Sequence, residues 1–374
     1  MDLAYSDEQV QLRDSVLRYT RDQCSFETRS VRLADGGFDA TLWSEVAELG
    51  WFALPLAEEV GGLGGSAVDL GLVMEGVGRA LIVEPIAPAI IAGLTLSWAG
   101  DASQRAQWLD PFLAGETVLA LAFAEPENPL DLTRPQTAVV RDGAGWRLSG
   151  QKAMVVGGDR AAAFLVPASL PDGGLGLFVV PTDRPGVTRR AIVLQDQTRV
   201  ADIQFDSVEL EQTHLLSGPT DARAALDRAF DLAIAAQAAE AVGAIDVMVE
   251  MTLEYLKTRQ QFGKPLSANQ ALQHRMVDIY MAGEEASSAA LSAALAMETS
   301  STADRSRAIS LAKIEINRLS RLVAQEAVQL HGAIGTTEDL PISHYFRRLT
   351  LIGRTFGGTD WHIRRVARID CQAA

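Results

Sequence analysis

The run TAVVRDGAGWRLSGQKAMVV, residues 137–156, decides how this 374-residue chain is read. Two strand-like apolar patterns flank Asp142-Gly143, a dipeptide suited to a tight hairpin turn. Further β-type runs follow at regular spacing: FLVPA, GLGLFVVP, GVTRRAIVL and RVADIQFDSVEL. Upstream, VLALAFAEP is a short apolar run ended by proline. Residues 117–218 are therefore expected to form a β barrel or sandwich.

On both sides of this module the texture is helical. Ser6-Asp7-Glu8-Gln9 matches a capping box. ATLWSEVAELGWFALP places Leu42, Trp43, Val46 and Leu49 at helical spacing. EEVGGLGG reads as a loop, and VDLGLVMEGVGRAL as another helix. From about Asp221 the chain is alanine-rich, with Leu226, Phe230, Ala233, Ala241, Ile245 and Met248 near multiples of three and four. Two more long helical segments, 269–298 and 303–330, are too apolar to stand alone and should pack as a bundle. The expectation is an α+β multidomain chain: an N-terminal α-helical domain (1–116), a middle β domain (117–218) and a C-terminal four-helix-bundle domain (219–374).

Composition narrows the function. Hydrophobic residues make up 48% and charged residues 22%, with a net charge of −15. That balance argues against nonspecific binding to nucleic acid or to an anionic membrane. Cys24 and Cys371, far apart, make neither a disulfide framework nor a metal spacing, which fits a reducing cytoplasm. The start, MDLAYSDEQVQLRD, lacks the apolar core of a signal peptide. The best apolar run, PIAPAIIAGLTLSWAG, is broken by proline and glycine and is too short to span a bilayer.

No serine elbow, Walker loop or GxGxxG occurs. His214, His274, His331, His344 and His362 show no ligand spacing. Three C-terminal stretches are more informative. In TRQQFGKPLSANQ, Arg259 stands at a helix end, where its planar fork can hold a diphosphate. Phe262 can shield an aromatic ring and Gln270 can read a ring edge. In QLHGAIG, the glycines can cap a helix or admit a cofactor close to the backbone. TFGGTDWH, residues 355–362, is a tight turn between helical patterns, near Arg354 and Arg364.

Together these stretches resemble the acyl-CoA dehydrogenase family, and the resemblance spans the chain. AELGWFALPLAEEVGGLGG looks like the family's N-terminal segment. AEPENPLD and GWRLSGQKAMVVGG are similar to its two β-domain signatures, and TRQQFG, QLHGAIG and FGGT to its C-terminal ones. The resemblance implies FAD as cofactor. Arg259 would pair with the pyrophosphate, with Gln261, Phe262, Asn269 and Gln270 around that groove. Gln329, Gly332 and Ala333 would meet the adenosine side, usually of a neighbouring subunit's FAD. Thr359 would touch the cofactor.

Against the family pattern, the flavin-gripping half is altered. The threonine and the glycine-serine pair of the first β signature are replaced by Ala124 and by Pro129 and Leu130, while Glu125, Pro126 and Asp131 remain. Met154 and Val156 stand where tryptophan and a hydroxyl residue usually do. The glutamate that removes the substrate α-proton is missing from both family positions, which here hold Gly357 and, on the helix before Arg259, Ala233 or Ile234. The resemblance thus implies a degenerate small subunit of a heteromeric bacterial acyl-CoA dehydrogenase, of the pimeloyl-CoA or steroid-CoA type. Such a chain would work in an α2β2 heterotetramer with a homologous partner that holds the acyl-CoA, with electron-transfer flavoprotein as acceptor. Alternatives are a self-sufficient dehydrogenase with a displaced base (Asp231, Glu240 or Asp360), a non-enzymatic structural or regulatory homologue, and flavin-dependent oxidation or monooxygenation.

Overall fold

Eleven α-helices and nine short or long strands are found in the computed structural model, which describes residues 4–132, 134–216, 218, 220–299 and 301–373. Six helices come first: α1 (Asp7–Gln23), α2 (Phe26–Ala34), α3 (Ala40–Glu48), α4 (Ala67–Ala80), α5 (Ile86–Ala99) and α6 (Ala102–Leu113). Seven strands follow: β1 (Leu119–Leu121), β2 (Ala138–Asp142), β3 (Gly145–Val156), β4 (Ala163–Ser169), β5 (Leu175–Pro181), β6 (Val187–Val193) and β7 (Arg199–Leu210). Then come α7 (Ala222–Thr258), a small hairpin of β8 (Gln260–Gln261) and β9 (Lys264–Pro265), α8 (Gln270–Ala296), α9 (Thr302–His331), α10 (Pro341–Ile352) and α11 (Thr359–Ala373). The expected order of helices, β module and helices is the observed one.

By packing, the chain forms two units. One comprises residues 32–66 and 83–233. Its seven strands make one sheet in the order β1-β4-β2-β3-β7-β6, with β5 paired along β4. The 137–156 hairpin is present as β2 and β3, paired from Ala138↔Ser149 to Asp142↔Gly145. Its two-residue turn is Gly143-Ala144, one step beyond the expected dipeptide, with Gly143 at φ +57°. Inward side chains such as Trp146, Leu148, Phe164, Phe178 and Phe205 fill the core of this unit.

Helix α5 in the same unit corrects the reading of PIAPAIIAGLTLSWAG. The run is one unbroken helix. Pro88 falls in its first turn, where a backbone N–H has no intrahelical acceptor to lose. Gly93 faces Phe112, whose Cε1 would stand 2.7 Å from a Cβ at that position. A longer apolar helix lies elsewhere in the chain. Helix α7 is long and apolar enough to cross a membrane, but most of that window is buried inside the protein, as a core helix is.

The other unit comprises residues up to Val31, Ala67–Ile82 and Ile234–Ala374. Its core runs through Val242, Ile245 and Met248 of α7, Ile279 and Ala286 of α8, and Ile316, Leu319 and Val323 of α9. The capping box at the start of α1 forms as expected, with Ser6 and Gln9 bonding reciprocally. Ser301 caps α9 through its hydroxyl, which accepts from the Asp304 N–H.

Candidate functional site

The residues around Arg259 gather at one end of the helical unit. Helix α7 stops at Thr258, and Arg259 opens the β8–β9 hairpin. The Leu266 N–H donates to the Arg259 carbonyl at 2.9 Å, closing the loop that leads to Asn269 and Gln270. Phe262, at the hairpin tip, has φ +53° and is 98% exposed. An aromatic side chain so placed contributes nothing to its own core and is available to a ligand or another chain. The Arg259 guanidinium is exposed and bonds to no described residue. The Asn269 amide is turned inward, donating to the Leu266 carbonyl.

The QLHGAIG stretch comes to the same end. His331 is the last residue of α9, and its ring stacks on Tyr255 of α7 with centroids 4.5 Å apart. Its Nδ1–H donates to the Ala327 carbonyl at 2.8 Å. That buried ring pins the C-terminal ends of α7 and α9 together. Gly332, at φ +69°, then turns the chain, leaving Gln329, Gly332 and Ala333 exposed. Arg275 and Glu326 pair at 2.6 Å, tying the start of α8 to the same corner. Arg259, Gln261, Phe262, Asn269, Gln270, Gln329, Gly332 and Ala333 thus share one end of the bundle. The Arg259 guanidinium there has no anionic partner among the described residues, so its charge is open to an outside anion.

Thr359 does not join them. It begins α11, just after the turn 353–358, and that turn is attached to α9 at Lys313. Lys313 and His331 are five helical turns apart, roughly 27 Å along the axis. The sequence-predicted set is therefore two separate clusters on the helical unit.

The turn holds glycine at 357, where the resemblance implies a glutamate. Gly357 has φ +108°, and a Cβ there would lie 2.8 Å from Trp361 Cε3 and 3.1 Å from His362 Nε2. Of the three other candidate carboxylates, Glu240 is buried and receives the Arg348 Nε–H at 2.6 Å. Asp231 is fully buried. Asp360 is exposed in the first turn of α11, a position that complements the positive end of a helix. Ala233 and Ile234 are buried apolar residues.

In the sheet unit the two β signatures meet. The Ala153 N–H donates to the Ala124 carbonyl at 2.9 Å. Beside it, the Lys152 ammonium bonds the Glu125 carboxylate at 2.7 Å. The same carboxylate accepts the Gln136 and Thr137 N–H groups at 2.6 and 3.0 Å. Burial pushes the Glu125 carboxyl up, but Lys152 and Thr137 outweigh it and hold the pKa below its ordinary value. Sequence reasoning passed over this pair. An acid and a base in two adjoining β signatures were the available signal. At the irregularity between Lys152 and Val155, Met154 adopts φ +55° and projects outward, 47% exposed. Its backbone N–H is taken by Asp202 Oδ1 at 3.1 Å. A thioether at 154 and the apolar Val156 offer no hydroxyl to a polar ring edge.

Among the described residues no group of three or more His, Cys, Asp or Glu could hold a metal ion.

Comparison with known proteins shows the family. The family models for the acyl-CoA dehydrogenase N-terminal, middle and C-terminal domains match residues 6–116, 120–208 and 223–369. The chain belongs to the acyl-CoA dehydrogenase family. It is 30% identical over 312 residues to acyl-CoA dehydrogenase FadE12 of Mycobacterium tuberculosis, covering 81% of this chain and 80% of that one. It is 25% identical to the mitochondrial short-chain specific acyl-CoA dehydrogenase of Mus musculus, over 81% of this chain and 76% of the relative. Among solved structures, a variant of the Tcur3481-Tcur3483 steroid ACAD superimposes with a TM-score of 0.88 at 31% identity, covering 98% of both chains. The ChsE4-ChsE5 complex of Mycobacterium tuberculosis shares the fold, with a TM-score of 0.89 at 23% identity over 100% of this chain and 99% of that one.

Proposed function

We propose that this chain is a subunit of an FAD-dependent acyl-CoA dehydrogenase that carries no catalytic base of its own and lends the ADP side of an FAD site to a homologous partner. The observation that carries this reading is the pairing of a free Arg259 end with a turn that holds glycine at 357. The separation of that end from Thr359 supports it, because the two clusters serve two different cofactor molecules more readily than one.

In this reading Arg259 holds the diphosphate, Gln261, Phe262, Asn269 and Gln270 flank it, and Gln329, Gly332 and Ala333 meet the adenosine. FAD, when bound, accepts the two electrons released as the α,β-bond of an acyl thioester becomes unsaturated. The partner's site supplies the base and holds the acyl-CoA. Met154 and Val156 leave a flavin edge short of partners, and a buried polar group without partners is costly. The Glu125–Lys152 pair keeps the loop in place without gripping the ring. The Tcur3481-Tcur3483 and ChsE4-ChsE5 names each describe paired chains, which favours an α2β2 assembly for this one. Electron-transfer flavoprotein is the expected acceptor, and a cytoplasmic location fits the two distant cysteines. The three-domain division at 116 and 218 stands as part of the same proposal.

Purifying the chain alone and together with a co-expressed homologous partner, and reading flavin absorbance, tests the reading. Flavin in the mixed assembly and little in the lone chain is the expected result. Stoichiometric flavin and acyl-CoA oxidation by the lone chain would favour the displaced-base alternative, with Asp360 the exposed candidate.

A further inference from the structure

Helix α9 carries Ser306, Ser310, Lys313, Asn317 and Ser320 at intervals of four, three, four and three residues. That spacing puts them on one face of the helix, and all five are buried. Beside Ile316, Leu319 and Val323 such a stripe is costly unless its groups are used. Its upper part is used. Arg365 of α11 donates to Ser306 and Ser310. Lys313, fully buried, donates from Nζ to the Gln237 side-chain oxygen at 2.9 Å and to the Ile352 carbonyl at 2.5 Å. Ile352 is the last residue of α10 and directly precedes the turn 353–358. Within the turn, His362 Nε2–H donates to the Phe356 carbonyl at 3.0 Å. The carbonyl can only accept, so the proton is on Nε2, and the buried Nδ1 has no hydrogen-bond partner among the described residues.

These two donors bracket the turn. Between them Phe356 and Gly357 sit in left-handed conformations, φ +58° and +108°. A non-glycine residue keeps such a conformation only where its surroundings hold it. If position 313 served packing alone, an apolar side chain of similar volume would suit it better than a buried ammonium.

We propose that Lys313 and His362 are positioning residues that fix the backbone of the turn 353–358, and with it Thr359, for contact with the cofactor. The proposal rests on the reading of this turn as cofactor-contacting. Lys313 sets where α10 ends, and His362 sets the direction of the Phe356 peptide. Thr359, three residues on, inherits both constraints.

The test uses the full chain co-expressed with a homologous partner, and the variants Lys313→Met, His362→Phe and His362→Gln. Glutamine keeps an N–H able to reach the Phe356 carbonyl, whereas phenylalanine does not. Hydrogen–deuterium exchange over residues 353–362 should quicken in Lys313→Met and His362→Phe and stay near wild type in His362→Gln. Exchange in the 259–265 hairpin should not change in any of them. The FAD dissociation constant should rise about tenfold in the first two variants, the effect of one lost hydrogen bond, and recover in the glutamine variant. If Lys313→Met does not fold, the two His362 variants carry the comparison alone. Unchanged exchange in the turn, or equal acceleration in turn and hairpin, overturns the proposal. So does unchanged FAD affinity alongside faster exchange. A wild-type assembly without flavin defeats the functional reading and the cofactor half of this inference together, and the exchange data then report only on the turn.

Discussion

Gly78 and Glu240 meet backbone to backbone: a Cβ on Gly78 would stand 1.9 Å from the Glu240 carbonyl oxygen. The reciprocal contact is Gly243, whose Cβ would lie 1.9 Å from the Glu75 carbonyl oxygen. Helices α4 and α7 therefore approach closer than any side chain allows. Of the glycines of VDLGLVMEGVGRAL, odd in a helix by propensity, Gly78 serves this crossing, while Gly76 faces Val16 of α1, whose Cγ1 would lie 2.3 Å from an added Cβ.

Gly78→Ala and Gly243→Ala should each destabilise the protein by about 1–3 kcal/mol or more, because backbone must move to admit the methyl group. Gly358→Ala, with no atom within 4 Å of the added carbon, should stay within about 0.5 kcal/mol. Urea midpoints at constant slope check this. Equal effects in all three variants would show that the close crossing does not matter.

Gly357→Glu should fail to create a dehydrogenase and should lower stability. The φ of +108° is strained for glutamate, and the Trp361 and His362 rings already occupy its Cβ space. Thermal denaturation and acyl-CoA turnover of the isolated variant give the answer. A folded variant that turns over substrate would show that only the carboxylate was lacking.

Stability against pH should report buried His362 and Lys313 and half-buried Glu75, with different signs. Burial, then Lys313 and Arg365, push His362 down to about 3, so its contribution is present above the unfolded value near 6.5 and is lost as pH falls toward 3. Burial also lowers Lys313 to about 7, so its contribution is present above the unfolded value near 10.5 and is lost as pH falls toward 7. Glu75 goes the other way. Burial and the Asp246 carboxylate raise it to about 7 against Arg13 and Arg79, so its contribution is present at acid pH and is lost as pH rises through 7. Relative to wild type, Glu75→Gln should gain more stability at pH 8 than at pH 5. Lys313→Met should compare better with wild type at pH 6.5 than at pH 10. Melting temperatures across this range test the signs, and parallel curves for all variants would contradict them.

Much of this was legible in the sequence. The 137–156 hairpin, the capping box and the apolar spacing of α7 rest on local patterns that packing did not override. In helix α5 the proline and glycine read as breaks in the sequence, and only the first-turn position of Pro88 and the ring of Phe112 explain them. Arg259 and Gly357 could be located by motif. What made them informative could not be: the contact of Lys313 with the Ile352 carbonyl, which moors the turn roughly 27 Å along α9 from His331, is tertiary. The Glu125–Lys152 pair and the Lys313–Ile352 contact join residues 27 and 39 positions apart, beyond any local periodicity.

Arg259→Ala should weaken FAD binding by the mixed assembly ten- to a hundredfold, the equivalent of about 1.5–3 kcal/mol for a charge-assisted contact. The lone chain's fold should be unaffected, since the guanidinium bonds to nothing described within it. Flavin fluorescence titration with a parallel melting curve separates the two effects. Unchanged affinity would remove Arg259 from the site.

The central claim is tested most directly by counting flavin and turnover in two preparations, the chain alone and the chain joined to a homologous partner that keeps its glutamate. The lone chain should hold little FAD and oxidise no acyl-CoA, while the joined assembly does both and is indifferent to Asp360→Asn and Asp231→Asn in this chain. A lone chain that holds FAD stoichiometrically and loses its turnover on either aspartate change would contradict the account.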